Sequence, residues 1–364
     1  MPAFKLCKSW ILIVFSTVSF SSFSQGVPSG GGSGGGSEEM DEEKNFQFMP
    51  IPYINYDRSL EFQLGALPMA MYKVNKKDTI SPASISGLFG MYTTNNSWFA
   101  LGFQQLYLNE DKWRITIAAG GGSINFQTYV SSPFNQFVKY NTGVNFFFIK
   151  AQRKVFEDFY LGLAYTYSEF GTEFTEEIKT PTKYLNGIGP VVSYDTRDDV
   201  YYPYHGSYSN GNWNSYPTLL ENDSSSNRIE LDHANYFSAR QEKDVIAARF
   251  YGGFGLGYVP FEQQFVVGQE DIRGYSQGKY RGDQTVAIQG EYRWNFADRW
   301  SAVGFVGLAT VFNTPNGVND GVILPGIGTG FRYNMVEKYH MNVGMDFAVG
   351  KDDWGLYFRI GEAF

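Results

Sequence analysis

The sequence has only one cysteine and three histidines among its 364 residues, and these shortages exclude several kinds of protein. Cys7 lies in a segment that we expect to be cleaved, so the mature chain should contain neither disulfide bonds nor thiolate metal sites. His205, His233 and His340 lie outside Gly-x-Ser-x-Gly and His-Glu-x-x-His contexts, which argues against an enzyme. A net charge of −8 without a clustered basic patch argues against nucleic-acid binding. We therefore predict no catalytic site, no cofactor and no metal.

The N-terminal segment has the organisation of a secretory signal peptide. Lys5 and Lys8 give it a positive start, and an apolar run from residue 10 to residue 20 follows. This run is shorter than the ~20 residues that cross a bilayer as a helix, which favours a cleaved signal over a retained anchor. We predict that cleavage occurs after Ser24.

A low-complexity segment follows the predicted signal peptide. It combines a Gly/Ser tract with an acidic run, and such compositions form flexible, solvated linkers rather than a packed core. We therefore divide the chain into a signal peptide at residues 1–24, a linker at 25–45 and a folded domain at 46–364.

The folded domain lacks any run of the ~20 apolar residues that a membrane helix needs. The chain is nevertheless rich in aromatic residues (18%) and in glycine, which suits half-buried strands. Between residues 286 and 296, for example, the even positions are apolar or glycine, and the odd positions are Ala, Gln, Glu, Arg and Asn. This period of two predicts β-strands with one apolar face.

Strand length and aromatic placement favour a membrane barrel over a soluble secreted sandwich. The alternating segments are about ten residues or longer, as a tilted crossing requires, and aromatics cluster at their ends as in interfacial girdles. We predict an all-β fold, a transmembrane antiparallel β-barrel of about 16 strands, with fourteen as the alternative count. Its location would be the outer membrane of a diderm bacterium, with outer-membrane lipid around the wall. The predicted strands start near residues 48, 59, 82, 97, 112, 134, 157, 184, 206, 226, 243, 284, 299, 323, 340 and 353.

Two segments are too specific to be ordinary wall. The strand-turn signature consists of Asp195, Thr196, Arg197, Asp198, Pro203 and Gly206. The loop motif, between the eleventh and twelfth predicted strands, consists of Ile272, Arg273, Gly274 and Tyr275. With these motifs the chain resembles the BamA/TamA-type barrels of the bacterial surface antigen superfamily, over roughly residues 48–364. The segments 50–56 and 361–364 also resemble the start and end of those barrels.

The resemblance implies a role for Arg273 that its position alone does not require. Without the resemblance, Arg273 would be interpreted as an ordinary solvated loop arginine. With it, the loop should fold into the lumen, where Arg273 pairs with a wall carboxylate. Glu291 is the expected partner, since it faces inward by alternation and can accept two parallel hydrogen bonds. The family's second carboxylate is replaced here by Gly307, which leaves Glu291 as the main partner, and Gly274 should allow a turn or a close approach to the wall.

The strand-turn signature has a simpler interpretation. Acidic residues at a strand end, followed by Pro203 and Gly206, are typical of a chain reversal. We therefore predict a structural role for Asp195 and Asp198. Arg197 between them argues against a metal site.

The two ends of the barrel wall predict a lateral seam. Pro50 and Pro52 lie near the start of the first strand, and proline cannot donate a ladder hydrogen bond. We therefore expect weak pairing between the first and last strands. The last strand should present one apolar face to lipid and carry its terminal aromatic residue there; the residues of that face are Leu356, Phe358, Ile360 and Phe364.

The resemblance implies outer-membrane protein assembly or translocation through a lateral seam and a loop-plugged lumen. Assembly factors of that family carry POTRA domains before the barrel, but residues 25–45 are fewer than the ~50 residues of a small domain. We therefore expect a barrel lacking POTRA domains, with periplasmic or outer-membrane accessory proteins as candidate partners. A passive or gated transport pore is the alternative, and a barrel-embedded enzyme is a third hypothesis. The lumen should be polar in either case, lined by Arg249, Glu291, Arg293 and Asp346.

Overall fold

The computed structural model describes residues 46–57, 60–130, 136–175, 178–179, 182–260, 263–268, 271–275, 280–314, 319–337 and 340–364. The predicted signal peptide and linker lie outside the described residues. Among the helices in the described segments, none has the length and apolar character that a membrane crossing requires.

The described residues form nineteen strands and one short 3-10 helix at Thr218–Leu220. The strands are β1 (Phe46–Asp57), β2 (Glu61–Tyr72), β3 (Ser84–Thr93), β4 (Trp98–Leu108), β5 (Trp113–Val130), β6 (Gln136–Phe156), β7 (Phe159–Thr175), β8 (Ile178–Lys179), β9 (Lys183–Asp195), β10 (Gly206–Tyr216), β11 (Ser226–Ala239), β12 (Asp244–Gly257), β13 (Phe265–Val266), β14 (Arg281–Gly282), β15 (Gln284–Ala297), β16 (Trp300–Phe312), β17 (Leu324–Val336), β18 (Met341–Gly350) and β19 (Asp353–Ile360).

Sixteen of these strands form the wall of a closed antiparallel β-barrel, in which each wall strand pairs with the next along the chain. The short β8 extends the edge of β7, and β13 and β14 form a separate ladder in the connection between β12 and β15. The predicted fold class is therefore confirmed. Each predicted start lies within two residues of the observed start of a wall strand.

The period of two separates the outer face of the wall from the lumen. On β15, the charged residues Glu291 and Arg293 are buried, whereas Ile288 is 53% exposed and Trp294 is 47% exposed. An apolar outer face suits lipid, because hydrocarbon cannot hydrate polar groups. Pairing between adjacent wall strands satisfies their backbone groups without water, except along much of the junction of β1 with β19.

The lumen side of the wall is mainly apolar on one side of the barrel and carries the larger group of buried charges on the other. Apolar side chains from β1 to β6 form one buried cluster that includes Met49, Ile51, Leu67, Met69, Met71, Ile85, Phe99, Leu101, Phe103, Ala118, Ile124, Val144 and Phe146. The polar lumen expected from the sequence is thus correct only in part. The four charged residues on which that expectation rested lie on β12, β15 and β18, on the other side of the barrel.

The barrel has two different ends. We call the end at which β1 begins and β19 finishes the terminal end, and the opposite end the loop end. The turn at 196–205 and the end of β17 lie at the terminal end, whereas β12 ends at the loop end, where the chain leaves the wall before β15.

The seam between β1 and β19 has far fewer pairs than the rest of the wall. In the described residues, the two strands share one registered pair, Tyr56 with Leu356. In contrast, β1 pairs with β2 along its whole length, with Pro50 opposite Pro68 and Pro52 opposite Ala66. Tyr53 contacts Phe358 across the seam, with their ring centres 5.8 Å apart.

The end of the chain does not follow the expected lipid-facing path. The wall ends at Ile360, and Phe364 is 8% exposed and packed inside the barrel against β11 and β12. The prediction that Phe364 lies on the lipid side with Leu356 is therefore wrong. Gly361 has a φ of +78°, and it turns residues 361–364, the tail, into the lumen. Glu362 accounts for this path, because a carboxylate is stable beside buried arginines but not in hydrocarbon.

Candidate functional site

The connection between β12 and β15 carries the loop motif into the lumen. Gly268 adopts a φ of +100°, and its N–H donates a 2.9 Å hydrogen bond to the carboxylate of Asp271. The carbonyl oxygen of Asp271 accepts a 2.6 Å hydrogen bond from Gln289 on β15. These contacts hold the chain against the inside of the wall immediately before Ile272, which is buried.

Arg273 lies between two wall carboxylates and is 3% exposed. Its Nη2 donates to Oε2 of Glu291 on β15 at 2.7 Å, and its Nη1 donates to Oδ2 of Asp346 on β18 at 2.7 Å. Its guanidinium carbon lies 3.4 Å from the ring centre of Phe305 on β16, which adds a cation–π attraction. One loop residue therefore contacts three wall strands.

The second carboxylate at Arg273 comes from a strand that sequence reasoning did not connect with the loop. Gly307 on β16 replaces the expected acid, and a Cβ atom there would lie 3.3 Å from Cδ1 of Ile272. Gly307 therefore leaves room for Ile272, and the acid is supplied by Asp346, two wall strands further on. The available signal was the inward position of Asp346, but alternation cannot show which loop reaches it.

Gly274 and Tyr275 fasten the motif to the last wall strands. Gly274 has a φ of +107°, and a Cβ atom there would lie 2.7 Å from the carbonyl carbon of Val349, so this position requires glycine. Its N–H donates to the hydroxyl of Tyr357 on β19 at 2.8 Å. The hydroxyl of Tyr275 donates to the carbonyl oxygen of Pro325 at 2.6 Å.

The charges around Arg273 continue into a larger buried group, which we call the arginine network. Its members are Arg273, Arg293, Arg332, Arg359, Glu291, Asp346 and Glu362. Arg293 donates to Glu291 at 2.9 Å, and Arg332 donates to Asp346 at 2.5 Å. Arg332 also donates to Glu362 of the tail at 3.1 Å. Each buried charge thus has an opposite charge beside it, which compensates the cost of removing ions from water.

The tail ends in an aromatic pocket beside this network. Phe364 packs with Tyr202, Ala234, Tyr236, Val245 and Ala247. Its main-chain oxygen accepts a 2.6 Å hydrogen bond from Nη2 of Arg293. Its ring centre lies 5.7 Å from the guanidinium carbon of Arg249. Because Arg293 also contacts Glu291, the tail and the loop motif are held by the same group of charges.

The strand-turn signature builds a second buried ion cluster at the terminal end. Oδ2 of Asp195 accepts hydrogen bonds from Arg114 at 2.9 Å and from Arg197 at 3.0 Å. Arg114 also donates to Asp111 at 2.7 Å and lies 3.8 Å over the ring of Tyr160. Asp195 is therefore an ion-pairing residue of the barrel interior, which the interpretation as turn chemistry did not include.

The rest of the signature shapes the turn between β9 and β10. Oδ1 of Asp198 accepts backbone hydrogen bonds from Tyr204 at 3.0 Å and from His205 at 3.1 Å. Thr196 accepts a 2.9 Å hydrogen bond from the N–H of Ser207. Gly206 has a φ of +94°, and a Cβ atom there would overlap the carbonyl oxygen of Thr196. Pro203 is buried in the same turn.

The two motifs meet at Tyr202. This residue belongs to the turn of the strand-turn signature, and its ring packs in the pocket of Phe364. The guanidinium carbon of Arg293 lies 5.6 Å from the Tyr202 ring centre. Pro50 and Pro52 lie on β1, which contributes to neither group. In the part of the chain that the structure describes, no cluster of His, Cys, Asp and Glu could hold a metal ion.

The fold and this site define a class of protein: a barrel of the kind found in the bacterial outer membrane, with a loop bound inside its lumen by an arginine. The Omp85 superfamily domain matches residues 83–364, so the chain belongs to the Omp85 superfamily. The predicted resemblance to BamA/TamA-type barrels is thereby confirmed. No curated protein matches the chain.

Solved structures share the fold at low identity. BamA from Haemophilus ducreyi lacking POTRA domains 1–3 is 12% identical, with a TM-score of 0.57 over 84% of this chain and 69% of that one. CdiB from Acinetobacter baumannii is 14% identical, with a TM-score of 0.59 over 87% and 59% of the two chains. CdiB from Escherichia coli is 8% identical, with a TM-score of 0.61 over 84% and 61%. This chain therefore spans about three fifths of either CdiB chain.

Proposed function

We propose that the protein assembles or translocates other proteins at the outer membrane, through a lateral seam beside its loop-occupied lumen. The observation that carries the proposal is the ladder between β1 and β19, which has one registered pair in the described residues. Membership of the Omp85 superfamily and the fold shared with BamA and CdiB support the same role.

The seam is the place where the wall opens at least cost. Every other pair of adjacent wall strands has six or more registered pairs among the described residues, with β9 and β10 at the minimum. Each lost backbone hydrogen bond costs about 0.5–1.5 kcal/mol net, so separating β1 from β19 is favoured over separating any other pair. The contact of Tyr53 with Phe358 is apolar, and it can be replaced by lipid or by an incoming apolar side chain.

The edge of β1 supplies a place where an incoming strand can pair. Residues 46–55 pair with β2 along one edge. Along the other edge, the registered pair with β19 involves only Tyr56, which follows this segment. An extended segment can add to such an edge by β-augmentation. Pro50 and Pro52 lack N–H donors, so a strand added there is held weakly and can be released.

The proposal also includes a location and partners. The barrel would lie in the outer membrane of a diderm bacterium, surrounded by outer-membrane lipid. Periplasmic or outer-membrane accessory proteins would deliver its clients. The arginine network would act as a fastener of the loop and the tail rather than as a catalytic centre, because its charges are paired with one another.

A disulfide across the seam tests the gate directly. In a strain that depends on a cysteine-free copy, Tyr56→Cys with Leu356→Cys links the paired residues of β1 and β19. The matched control, Tyr92→Cys with Trp98→Cys, links registered partners of β3 and β4 in continuous wall. We expect the oxidised seam pair to lower the abundance of other outer-membrane proteins, with recovery on reduction. Unchanged abundance with a fully formed seam disulfide would show that the gate idea is wrong.

A gated pore is the second candidate, and the charged half of the lumen favours it. Arg249, Glu291, Arg293 and Asp346 line that half and could attract ions if the loop moved. Conductance in planar bilayers separates the candidates. A large, steady current supports transport, whereas a small, flickering current supports a lumen occupied by the loop.

A further inference from the structure

Three polar side chains form a hydrogen-bonded chain on the outer face of the wall. Ser209 on β10 lies directly opposite His233 on β11, and Asn235 follows two residues later on the same face. Oγ of Ser209 is 2.8 Å from Nδ1 of His233, and Nδ2 of Asn235 is 2.6 Å from Nε2 of His233. Each ring nitrogen of His233 therefore has a side-chain partner.

These residues belong to the lipid-facing side of the barrel. Asp232 and Ala234, which flank His233 in the chain, are buried in the lumen. On the outer face, Phe250 lies directly opposite His233 on β12 and is 38% exposed, and Phe237 is 57% exposed. Ser209, His233 and Asn235 are therefore joined by hydrogen bonds on a face that also carries these apolar side chains.

The height of Ser209 on the wall corresponds to the membrane interface. Its registered partner on β9 is Tyr194, and Tyr194 in turn pairs with Phe159 at the start of β7. Such aromatic residues on the outer face form the girdle at the level of the lipid headgroups. Ser209 thus lies near the terminal end, where the ester groups of glycerophospholipids meet the hydrocarbon.

We propose that Ser209, His233 and Asn235 hydrolyse the acyl ester of a glycerophospholipid in the leaflet at the terminal end. Oγ of Ser209 attacks the ester carbonyl, and its proton passes to Nδ1 of His233. The carbon–oxygen bond to the glycerol breaks, and the leaving alkoxide takes this proton to form a lysophospholipid. Water then attacks the acyl-serine ester, again through His233, and releases a fatty acid and the original Ser209.

Asn235 is a positioning residue in this scheme. A half-turn of its amide presents Oδ1 to Nε2–H of His233, which leaves Nδ1 unprotonated and able to accept the serine proton. Ser207 is directly opposite Asn235 on the same face, and its hydroxyl lies 3.1 Å from Oγ1 of Thr196; it would have to rotate away from this contact to donate to the oxyanion that forms on the ester.

The sequence did not reveal this group because its members share no contiguous motif. A search for Gly-x-Ser-x-Gly finds a nucleophile on a strand-to-helix turn, whereas Ser209 lies within a strand. The serine and the histidine are 24 residues apart and become neighbours only through the β10–β11 register.

Purified full-length protein in mixed micelles of detergent and phosphatidylethanolamine provides the test, with released fatty acid as the measured product. We expect Ser209→Ala and His233→Ala to lose on the order of 10³-fold in rate or more. Ser215→Ala, on the same face of β10, should retain the wild-type rate. A fluorophosphonate probe should label the wild type and Ser215→Ala, but not Ser209→Ala. Asn235→Ala should lower kcat with little change in KM, and Asn235→Asp should restore part of the loss.

Two results would overturn the hydrolase. The first is a wild type that releases no fatty acid and is not labelled by the probe. The second is an activity that Ser209→Ala retains, which would trace it to a contaminant. Heat-modifiable migration on gels verifies that each variant is a folded barrel. The outcome is independent of the assembly role, because Ser209→Ala should leave outer-membrane protein abundance unchanged and the seam disulfide should leave lipid hydrolysis unchanged.

Discussion

At the scale of single residues, the loop motif depends on missing side chains as much as on charge. A Cβ atom on Gly326 would lie 2.5 Å from the carbonyl oxygen of Arg273. A Cβ atom on Gly350 would lie 2.5 Å from Cζ of Tyr275. These wall glycines allow the loop backbone to approach closely enough for Arg273 to reach both carboxylates. Either alanine substitution forces the loop away from the wall, since neither contact is with a flexible side-chain end alone.

Arg273→Ala should destabilise the barrel strongly. The substitution breaks the buried ion pairs of Arg273 with Glu291 and with Asp346, so each carboxylate loses one of its guanidinium partners. Breaking such a pair costs about 3–5 kcal/mol. Urea-induced unfolding in detergent micelles measures the loss. Arg299→Ala is the matched control, because Arg299 pairs with Glu337 at the exposed terminal end and its loss should have a much smaller effect. Equal losses in the two variants would contradict the structural importance of the network.

His340 gives a contact between two terminal-end turns that depends on pH. Its Nδ1 lies 2.8 Å from Oδ2 of Asp199, and this hydrogen bond raises the pKa of His340 above its usual value. Because the pKa of His340 is higher in the folded state, the contact stabilises the fold fully at pH values below the unfolded-state pKa of about 6.5. This stabilisation is lost as the pH rises through the folded-state pKa. Titration of the His340 ring signals by NMR should show this, with Asp199→Asn returning the pKa towards its usual value. An unshifted pKa in the wild type would rule the contact out.

At the scale of elements, β19 is held more by the lumen than by its neighbour across the seam. It has one registered pair with β1. On its inner side, Tyr357 accepts a hydrogen bond from Gly274 at 2.8 Å, and Arg359 lies 3.3 Å from Asp346. The tail adds the contacts of Glu362 and Phe364. The position of the last strand is therefore coupled to the loop motif, and release of one should loosen the other.

Phe364→Ala should loosen β19 without unfolding the barrel. The substitution empties the pocket around Tyr202 and Tyr236, so the tail loses its apolar anchor beside Arg293. We expect faster amide hydrogen exchange in β19 and unchanged exchange in β3 and β4, measured by mass spectrometry. Phe237→Ala provides a size-matched control, since Phe237 is 57% exposed on the outer face of β11, away from β19. The coupling idea fails if both variants exchange like the wild type.

At the scale of the whole molecule, the barrel has two unlike halves. The lumen side of β1–β6 is mainly apolar, with Arg114 on β5 as a buried charge near the terminal end, and the arginine network fills the side formed by β15–β19. The seam lies between these halves, since β1 belongs to the apolar one and β19 to the charged one. Opening it would expose apolar inner wall on one side and the fastened loop on the other, which suits a passage for amphipathic strands.

Gly326→Ala should convert the occupied lumen into a more conducting one. The added Cβ atom conflicts with the backbone of Arg273, so the loop should leave its site for part of the time. We expect larger and longer current steps in planar bilayers than the wild type gives. Gly290→Ala is the control, because a Cβ atom at Gly290 would meet nothing within 4 Å. Identical currents in the three proteins would show that the loop does not control conductance.

The strands and the inward positions of Glu291, Arg293 and Asp346 follow from local alternation, and so they could be predicted from the sequence. The loop motif was found through a resemblance rather than through any physical signal of its own. The contact of Arg273 with Asp346 could not be predicted, because it joins residues 73 positions apart across the lumen. The same holds for Asp195 with Arg114, which are 81 positions apart. Sequence patterns report which face a residue occupies, but not which residue lies opposite it inside a closed wall.

The sequence by itself determined an antiparallel barrel. Alternation at a period of two gives each strand an apolar face for lipid and a second face for the lumen, and such a sheet is stable in a membrane only when it closes. Tertiary structure decided where the two ends of that wall go. The last strand turns inward at Gly361 because Arg293 on β15 and Arg332 on β17 bind the tail there, and Phe364 follows Glu362 into the lumen. Tertiary structure also brought Ser209 beside His233, since the β10–β11 register, rather than any local pattern, makes them neighbours.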